Sequence, residues 1–156
     1  ENVVSNWNWI EALIASVPIA ILVMLIVWIN QFQDAPSDAA VGKNTWVVRT
    51  AEKGEWMKLE KPLRLYKQFM IEAFVAVALV GALSFFTDFG TVYAFMALIP
   101  LALVWKAFKM ADEWMIKWNN PNADRQKVPY ELLLVNVSTI GIHFLTGILL
   151  AVAYIL

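Results

Sequence analysis

The feature that most constrains this chain is its alternation of long apolar segments with charged connections. Four segments are apolar over most of their length, at residues 10–29, 70–86, 91–108 and 132–156. A helix needs about 20 apolar residues to cross the hydrocarbon core of a membrane, and each segment is close to that length. We therefore predict an all-α integral membrane protein, a helical bundle of four transmembrane helices in a single domain.

The basic residues indicate how the spans are oriented. All 12 Lys and Arg residues lie in or beside the first and third connections, residues 30–69 and 109–131. Four spans place these two connections on the same side of the membrane, and positive residues favour the cytoplasmic side. We expect the charged connections in the cytoplasm and both termini outside, at a plasma or inner membrane.

Composition excludes several classes of function. The 156 residues are 60% hydrophobic with a formal net charge of −1, so there is no basic surface to gather nucleic acid. The sequence has no cysteine and a single histidine, His143. Disulfides, thiolate metal sites and multi-histidine copper, haem or zinc sites are therefore excluded within this chain. Tryptophans of the kind that anchor helices at membrane interfaces flank the first span and follow the third: Trp7, Trp9, Trp28, Trp105, Trp114 and Trp118.

The polar stretch after the first span, INQFQDAPSDAAVGKNTWVVR at residues 29–49, holds the candidate site. Asn30, Asp34 and Asp38 follow one another at steps of four, which stacks them on one face if the first helix continues. Two carboxylates one turn apart repel each other, so they call for a cation. Mg²⁺ fits because it binds one or two carboxylates and keeps positions for water and phosphate oxygens. Lys43 and Arg49 could then hold the remaining phosphate charge.

The same stretch allows a second interpretation. Pro36 cannot donate a hydrogen bond to the Phe32 carbonyl, and it disfavours helical geometry at Ala35. Acidic residues just past a membrane span also commonly belong to a solvated loop. Two structures therefore stay open: a continuous helix with aligned carboxylates, or a kinked or broken helix that leads into a polar loop.

The order of residues in this stretch resembles the second aspartate-rich motif of the UbiA superfamily of intramembrane prenyltransferases. It is most similar to the 1,4-dihydroxy-2-naphthoate prenyltransferase branch, in which Asn, two Asp at four-residue steps, Gly-Lys and a hydrophobic-Arg run recur in this order. The similarity covers the chain from about residue 10 to its end. It implies a bundle of roughly nine helices in which two such motifs bind an isoprenyl diphosphate through Mg²⁺. The prenyl chain then passes to an aromatic acceptor of the quinone-precursor type.

The resemblance also implies roles for individual residues. Asp34 and Asp38 would bind Mg²⁺ and the diphosphate, with Asn30 as a polar support. Lys43 would contact the diphosphate, and Arg49 would be a second contact. The metal and the cations would stabilise the negative charge that develops on the leaving diphosphate.

Two departures from the family pattern limit this expectation. Asn44 stands where family members commonly carry Arg, and the first aspartate-rich motif with its surrounding spans is absent. The chain also begins with Glu1 instead of Met. We therefore expect the C-terminal part of such an enzyme, as a fragment or as a subunit completed by further helices or another chain, and inactive on its own.

Two alternatives from other classes stay open. The chain is a non-catalytic transmembrane subunit of a larger respiratory or oxidising complex if its aspartates only form salt bridges to loop lysines. It is a small transporter or channel subunit if Glu72 and His143 form a proton path through the spans. The spans carry few polar residues, which disfavours the transporter.

Overall fold

The computed structural model describes residues 8–53, 57–124 and 127–156, and these ranges are helical without any strand. The five α-helices are α1 (Asn8–Ala40), α2 (Trp46–Thr50), α3 (Glu60–Leu83), α4 (Leu101–Trp118) and α5 (Leu133–Ala153). Short 3₁₀ helices at Val92–Leu98 and Val128–Leu132 precede α4 and α5. The predicted all-α class is confirmed.

Four of these elements are long and apolar enough to cross a membrane: α1, α3, the run Val92–Trp118 and the run Val128–Ala153. Four spans were predicted, and the architecture is that of an integral membrane protein. Two helices extend well beyond the apolar segments, since α1 continues to Ala40 and α3 already begins at Glu60. The early start of α3 reflects Pro62, which is favourable in a first helical turn, and the buried side chains of Leu63 and Tyr66. The last part of the first charged connection is therefore helical and belongs to α3.

The helices form a bundle in which α1 packs between α3 and α5, and α4 packs on the other side of the same two helices. The first and third connections meet at one end of this bundle. The Trp118 indole donates a hydrogen bond to the Met57 carbonyl at 2.9 Å, and the Asn119 amide donates to Glu60 Oε1 at 3.0 Å. We call this end the charged end; it is made of residues 41–53, 57–59, 119–124 and 127 and the helix turns beside them.

Aromatic side chains fill the interior near the charged end. Trp114 and Trp118 stack with ring centroids 5.7 Å apart, and Phe32 of α1 meets Trp114 edge to face at 5.9 Å. Trp28, Trp114 and Trp118 are buried inside the protein, so they differ from the interfacial anchors predicted for them, while Trp105 is 76% exposed. Trp7 lies outside the described residues.

At the opposite end of the bundle, the interior is a smaller aliphatic cluster. We call this end the hairpin end; it comprises residues 84–91, the first turns of α1 and the last turn of α5. The buried members of the cluster are Val77, Val80, Ala94, Ala97 and Leu150. Gly90 has a φ of 81°, and its backbone N–H donates to Glu11 Oε1 at 3.0 Å. Ile14 and Ala15 of α1 pack against this cluster, as does Leu149 of α5. The start of α1 and the end of α5 thus lie together here.

Candidate functional site

The first helix continues through Pro36 to Ala40, so Asn30, Asp34 and Asp38 lie on successive turns of one helix. The sequence left open whether Pro36 would break it. Packing accounts for the continuity, because Phe32 and Ala35, on either side of the missing hydrogen bond, are both fully buried. Tertiary burial can exceed the cost of one proline, which is about 3 kcal/mol in a helix interior.

The helix ends in a turn that depends on Gly42. The Lys43 amide donates to the Asp38 carbonyl at 2.8 Å, and the Gly42 amide donates to the Ala39 carbonyl at 3.2 Å. These two bonds form a Schellman motif, which requires a left-handed residue at the position of Gly42; its φ is 74°. The turn directs the chain back, so that the Lys43 side chain reaches the last turn of α1.

Asp38 is the buried carboxylate of the site. It is 8% exposed, and its Oδ1 lies 3.0 Å from Nζ of Lys43. Its Oδ2 is buried with no hydrogen-bond partner in the described part of the chain. A helix C-terminus carries partial negative charge, so a second negative charge at this position is unfavourable unless cations compensate it. Lys43 compensates one oxygen only, and its side chain stays 61% exposed.

Asp34 lies one turn before Asp38 and is exposed. Its backbone carbonyl accepts a hydrogen bond from Ser37 Oγ at 2.9 Å, while no ion pair of its carboxylate is present among the described residues. Residues four apart point to nearly the same side of a helix. The exposed carboxylate of Asp34 and the buried carboxylate of Asp38 therefore lie on adjacent turns of the same side of α1.

Asn30 is held by the last helix of the bundle. Its Oδ1 accepts a hydrogen bond from Nδ2 of Asn136 at 2.8 Å, and Asn136 is buried in α5. The Asn136 Oδ1 is a second buried oxygen for which the described residues supply no partner. The bond between the two amides fixes the side of α1 that carries Asn30 against α5.

Arg49 lies elsewhere on the charged end. It projects from the short helix α2, which Gln31 holds against α1 by accepting a hydrogen bond from the Val47 amide at 3.2 Å. Arg49 lines a groove between α1 and α3, whereas Asn30 contacts α5 on another side of α1. The structure brings Asp38 and Lys43 together and aligns Asp34 and Asn30 with them, but it does not place Arg49 beside them.

The carboxylates of Asp34 and Asp38 restrict which kind of metal ion could bind here. The described ranges contain no group of three or more His, Asp or Glu residues that could enclose a metal ion. Asp34 and Asp38 thus suit a cation that accepts one or two carboxylates and keeps water and phosphate oxygens as its other ligands, as Mg²⁺ does. The unpartnered Oδ2 of Asp38 is the atom that such an ion would satisfy.

The residues predicted for a proton path do not form a connected network. Glu72 is exposed on α3 and accepts a hydrogen bond from Gln68, one turn earlier, at 2.8 Å. His143 is partly buried in α5. In the part of the chain that the structure describes, no hydrogen bond joins these two side chains.

Sequence reasoning missed two contributors to the site, Gln31 and Asn136. Gln31 stands one position after Asn30, and no spacing rule connects it with the Val47 amide. Asn136 lies in the last apolar segment, and its pairing with Asn30 depends on how α1 and α5 pack.

Comparison of the chain with known protein families, with curated proteins and with solved structures gives no match. The case for a function consequently rests on the residues and their geometry.

Proposed function

We propose that this chain supplies one half of a Mg²⁺-dependent site that binds an isoprenyl diphosphate, as the C-terminal part of a UbiA-type prenyltransferase. The acceptor of the prenyl chain would be an aromatic, quinone-precursor-type molecule. The observation that carries the proposal is the state of Asp38: a buried carboxylate at a helix C-terminus, with one oxygen on Lys43 and the other without a partner among the described residues. Such an arrangement is completed by a second cation.

Each of the site residues would have a distinct role in binding a diphosphate. Asp34 and Asp38 would hold the metal, and Lys43, which is 61% exposed, has room to turn its ammonium toward a phosphate oxygen. Asn30 would keep the carboxylate-bearing side of α1 in place through Asn136. When bound, Mg²⁺ would supply electrostatic stabilisation of the charge that develops on the departing diphosphate.

The location of the site suits an amphipathic substrate. Asp34 and Asp38 lie at the end of a helix that is apolar enough to cross a membrane. Val23 and Val27, on the turns before Asn30, are exposed on the side of α1 that leads toward Asp34. An isoprenyl chain could follow this apolar surface into the membrane while its diphosphate stays at the charged end. The same surface offers a place for the further helices or the second chain that would carry the other aspartate-rich motif.

A ligand-dependent change in melting temperature tests the proposal. The purified protein in mild detergent is heated with Mg²⁺, with a non-hydrolysable isoprenyl diphosphate analogue, and with both. A ligand that binds only the folded form at about 100 times its Kd stabilises it by about 2.7 kcal/mol. We expect stabilisation with both ligands together and its loss in Asp34→Asn and Asp38→Asn.

Asp88→Asn is the matched control for that experiment, because Asp88 is an exposed aspartate at the hairpin end. It should respond to the ligands as the unmodified protein does. An equal response in the Asp34→Asn, Asp38→Asn double variant would show that the diphosphate site lies elsewhere. Full Mg²⁺-dependent prenyl transfer by the Asp34→Ala, Asp38→Ala double variant in the completed enzyme would refute the assignment as well.

A non-catalytic membrane subunit is the second candidate, and the ion pair between Asp38 and Lys43 favours it. In that function, the aspartate would only fasten the turn after α1. Binding of Mg²⁺ and the diphosphate analogue would then be absent from the unmodified protein, whereas stable association with a haem- or copper-carrying partner would be found.

A further inference from the structure

The groove beside Arg49 is a separate feature of the charged end. It measures about 410 Å³ and is lined by Met24 and Trp28 of α1, by Trp46, Arg49 and Thr50 of α2, and by Phe69 of α3. We call it the tryptophan groove, and we propose that it binds one anionic phospholipid, with the lipid phosphate on Arg49. This proposal does not rest on the prenyltransferase assignment, and it gives Arg49 a ligand other than the diphosphate predicted from the sequence.

The residues that line the groove change from polar to apolar with depth in the membrane. Arg49 and Thr50 belong to α2, which lies at the charged end outside the four spans. Met24 lies one turn deeper in α1 than Trp28, and Phe69 lies more than two turns into α3. The groove is thus polar at the membrane surface and apolar toward the bilayer. A phospholipid has the same polarity along its length, with a phosphate above and acyl chains below.

Charge complementarity favours an anionic headgroup. Among the described residues Arg49, like Lys61 and Arg64, forms no ion pair, and Arg49 is the cationic residue that lines the groove. A guanidinium presents several N–H donors in a planar fork that matches two phosphate oxygens. At a membrane surface, an unpaired arginine beside an apolar groove attracts a negative lipid more strongly than a zwitterionic one.

The walls of the groove are held in place by the protein. The Trp28 indole donates to the Pro62 carbonyl at 3.2 Å, and its ring centroid lies 5.8 Å from those of both Trp46 and Phe69. Val47 and Val48 are buried and fasten α2. Arg49 therefore extends from a fixed element, and a lipid that binds there orders few side chains, which favours affinity.

Native mass spectrometry with added lipid tests this proposal. The full chain in mild detergent is titrated with phosphatidylglycerol or with phosphatidylcholine of the same acyl chains. We expect phosphatidylglycerol to bind preferentially, and Arg49→Gln to weaken its binding by about tenfold, as for the loss of one charge-assisted contact. Arg49→Lys keeps the charge without the fork and should lose less.

Arg64→Gln is the matched control, since Arg64 is exposed on α3 near the charged end and does not line the groove. It should change phosphatidylglycerol binding less than about twofold, because it removes only general attraction at the surface. Equal losses in Arg49→Gln and Arg64→Gln would overturn the proposal, as would equal binding of the two lipids.

Two further experiments distinguish phospholipid binding from the binding of other anionic ligands. Soluble glycerol phosphate should not displace phosphatidylglycerol, because it cannot fill the apolar part of the groove; displacement at equal concentration would mean a simple anion site and overturn the lipid. Arg49→Gln should keep the stabilisation by Mg²⁺ and the diphosphate analogue. If it loses that stabilisation and keeps its lipid, Arg49 serves the diphosphate, and the lipid proposal is wrong.

Discussion

The charged end and the hairpin end of the bundle are built in opposite ways. At the charged end, long connections are fastened by aromatic side chains, with the indoles of Trp114 and Trp118 donating to the carbonyls of Val128 and Met57 at 2.7 and 2.9 Å. At the hairpin end a short turn packs on a small aliphatic cluster, and one carboxylate–amide bond joins Glu11 to Gly90.

The difference shows where this protein can place polar chemistry. A backbone near the membrane must have its polar groups satisfied by the protein, and the charged end does so with side chains from several elements. Among the described residues, Asp38 and Asn136 are buried near this end, and each has one polar atom in a hydrogen bond and one oxygen without a partner. At the hairpin end the bonds are mostly local: the hydroxyls of Ser84 and Thr87 donate to backbone carbonyls within four residues, and the Gly90 amide donates to Glu11 of α1.

Replacing one glycine at each end by alanine is expected to give the largest difference in stability between the two ends. Gly90 and Gly42 both have positive φ, but a Cβ on Gly90 would stand 2.3 Å from the Val80 carbonyl oxygen, while a Cβ on Gly42 meets nothing within 4 Å. We expect Gly90→Ala to lower the free energy of unfolding by about 2–5 kcal/mol through strain and overlap. Gly42→Ala should cost about 1 kcal/mol, from the left-handed backbone alone. Thermal unfolding in detergent, followed by circular dichroism, measures both.

These two variants also separate stability from ligand binding. Gly42→Ala disturbs the turn that brings Lys43 back to Asp38, so it should reduce the response to Mg²⁺ and the diphosphate analogue despite its small cost. Gly90→Ala should keep that response at temperatures where it is folded. If the costs of the two variants were equal, the Val80 carbonyl would not confine the hairpin end as described.

The aromatic fastening of the charged end predicts the next largest effect. Trp118→Phe keeps most of the buried ring but removes the indole N–H that reaches Met57, and leaves that carbonyl without its donor. We expect a loss of about 1–3 kcal/mol. Trp105→Phe is the matched control, because Trp105 is 76% exposed and should change stability by less than about 0.5 kcal/mol. Similar losses in both variants would mean that Trp118 contributes only apolar area.

The same contrast explains how much could be predicted from the sequence. Apolar length is a local property, so the four spans and the all-α class could be predicted. The alignment of Asn30, Asp34 and Asp38 could not be decided, because Pro36 opposes the helix locally while the burial of Phe32 and Ala35 supports it through distant contacts. Local sequence gives the polarity of a residue, but its partner depends on packing between elements.

The tryptophans show the same limit. Trp105, Trp114 and Trp118 are alike in a hydropathy profile, and all three were predicted as interfacial anchors. Only the arrangement of the connections over α4 decides that Trp114 and Trp118 are covered while Trp105 remains exposed. The groove at Arg49 likewise combines side chains from α1, α2 and α3, which no motif within one segment could indicate.

The smallest expected effect concerns the bond that links α1 to α5 beneath the carboxylates. A double-mutant cycle with Asn30→Ala and Asn136→Ala measures the coupling between the two amides. We expect about 0.6 kcal/mol, the average for polar contacts between membrane helices, because Asn30 is partly solvated and Asn136 already has one unsatisfied oxygen. Thr146, about 15 Å farther along α5, provides the control cycle, in which Asn30→Ala and Thr146→Val should be additive.

Asn136→Ala should also weaken stabilisation by Mg²⁺ and the diphosphate analogue, although Asn136 binds neither ligand. An unchanged response would mean that the bond between Asn136 and Asn30 positions nothing in the site.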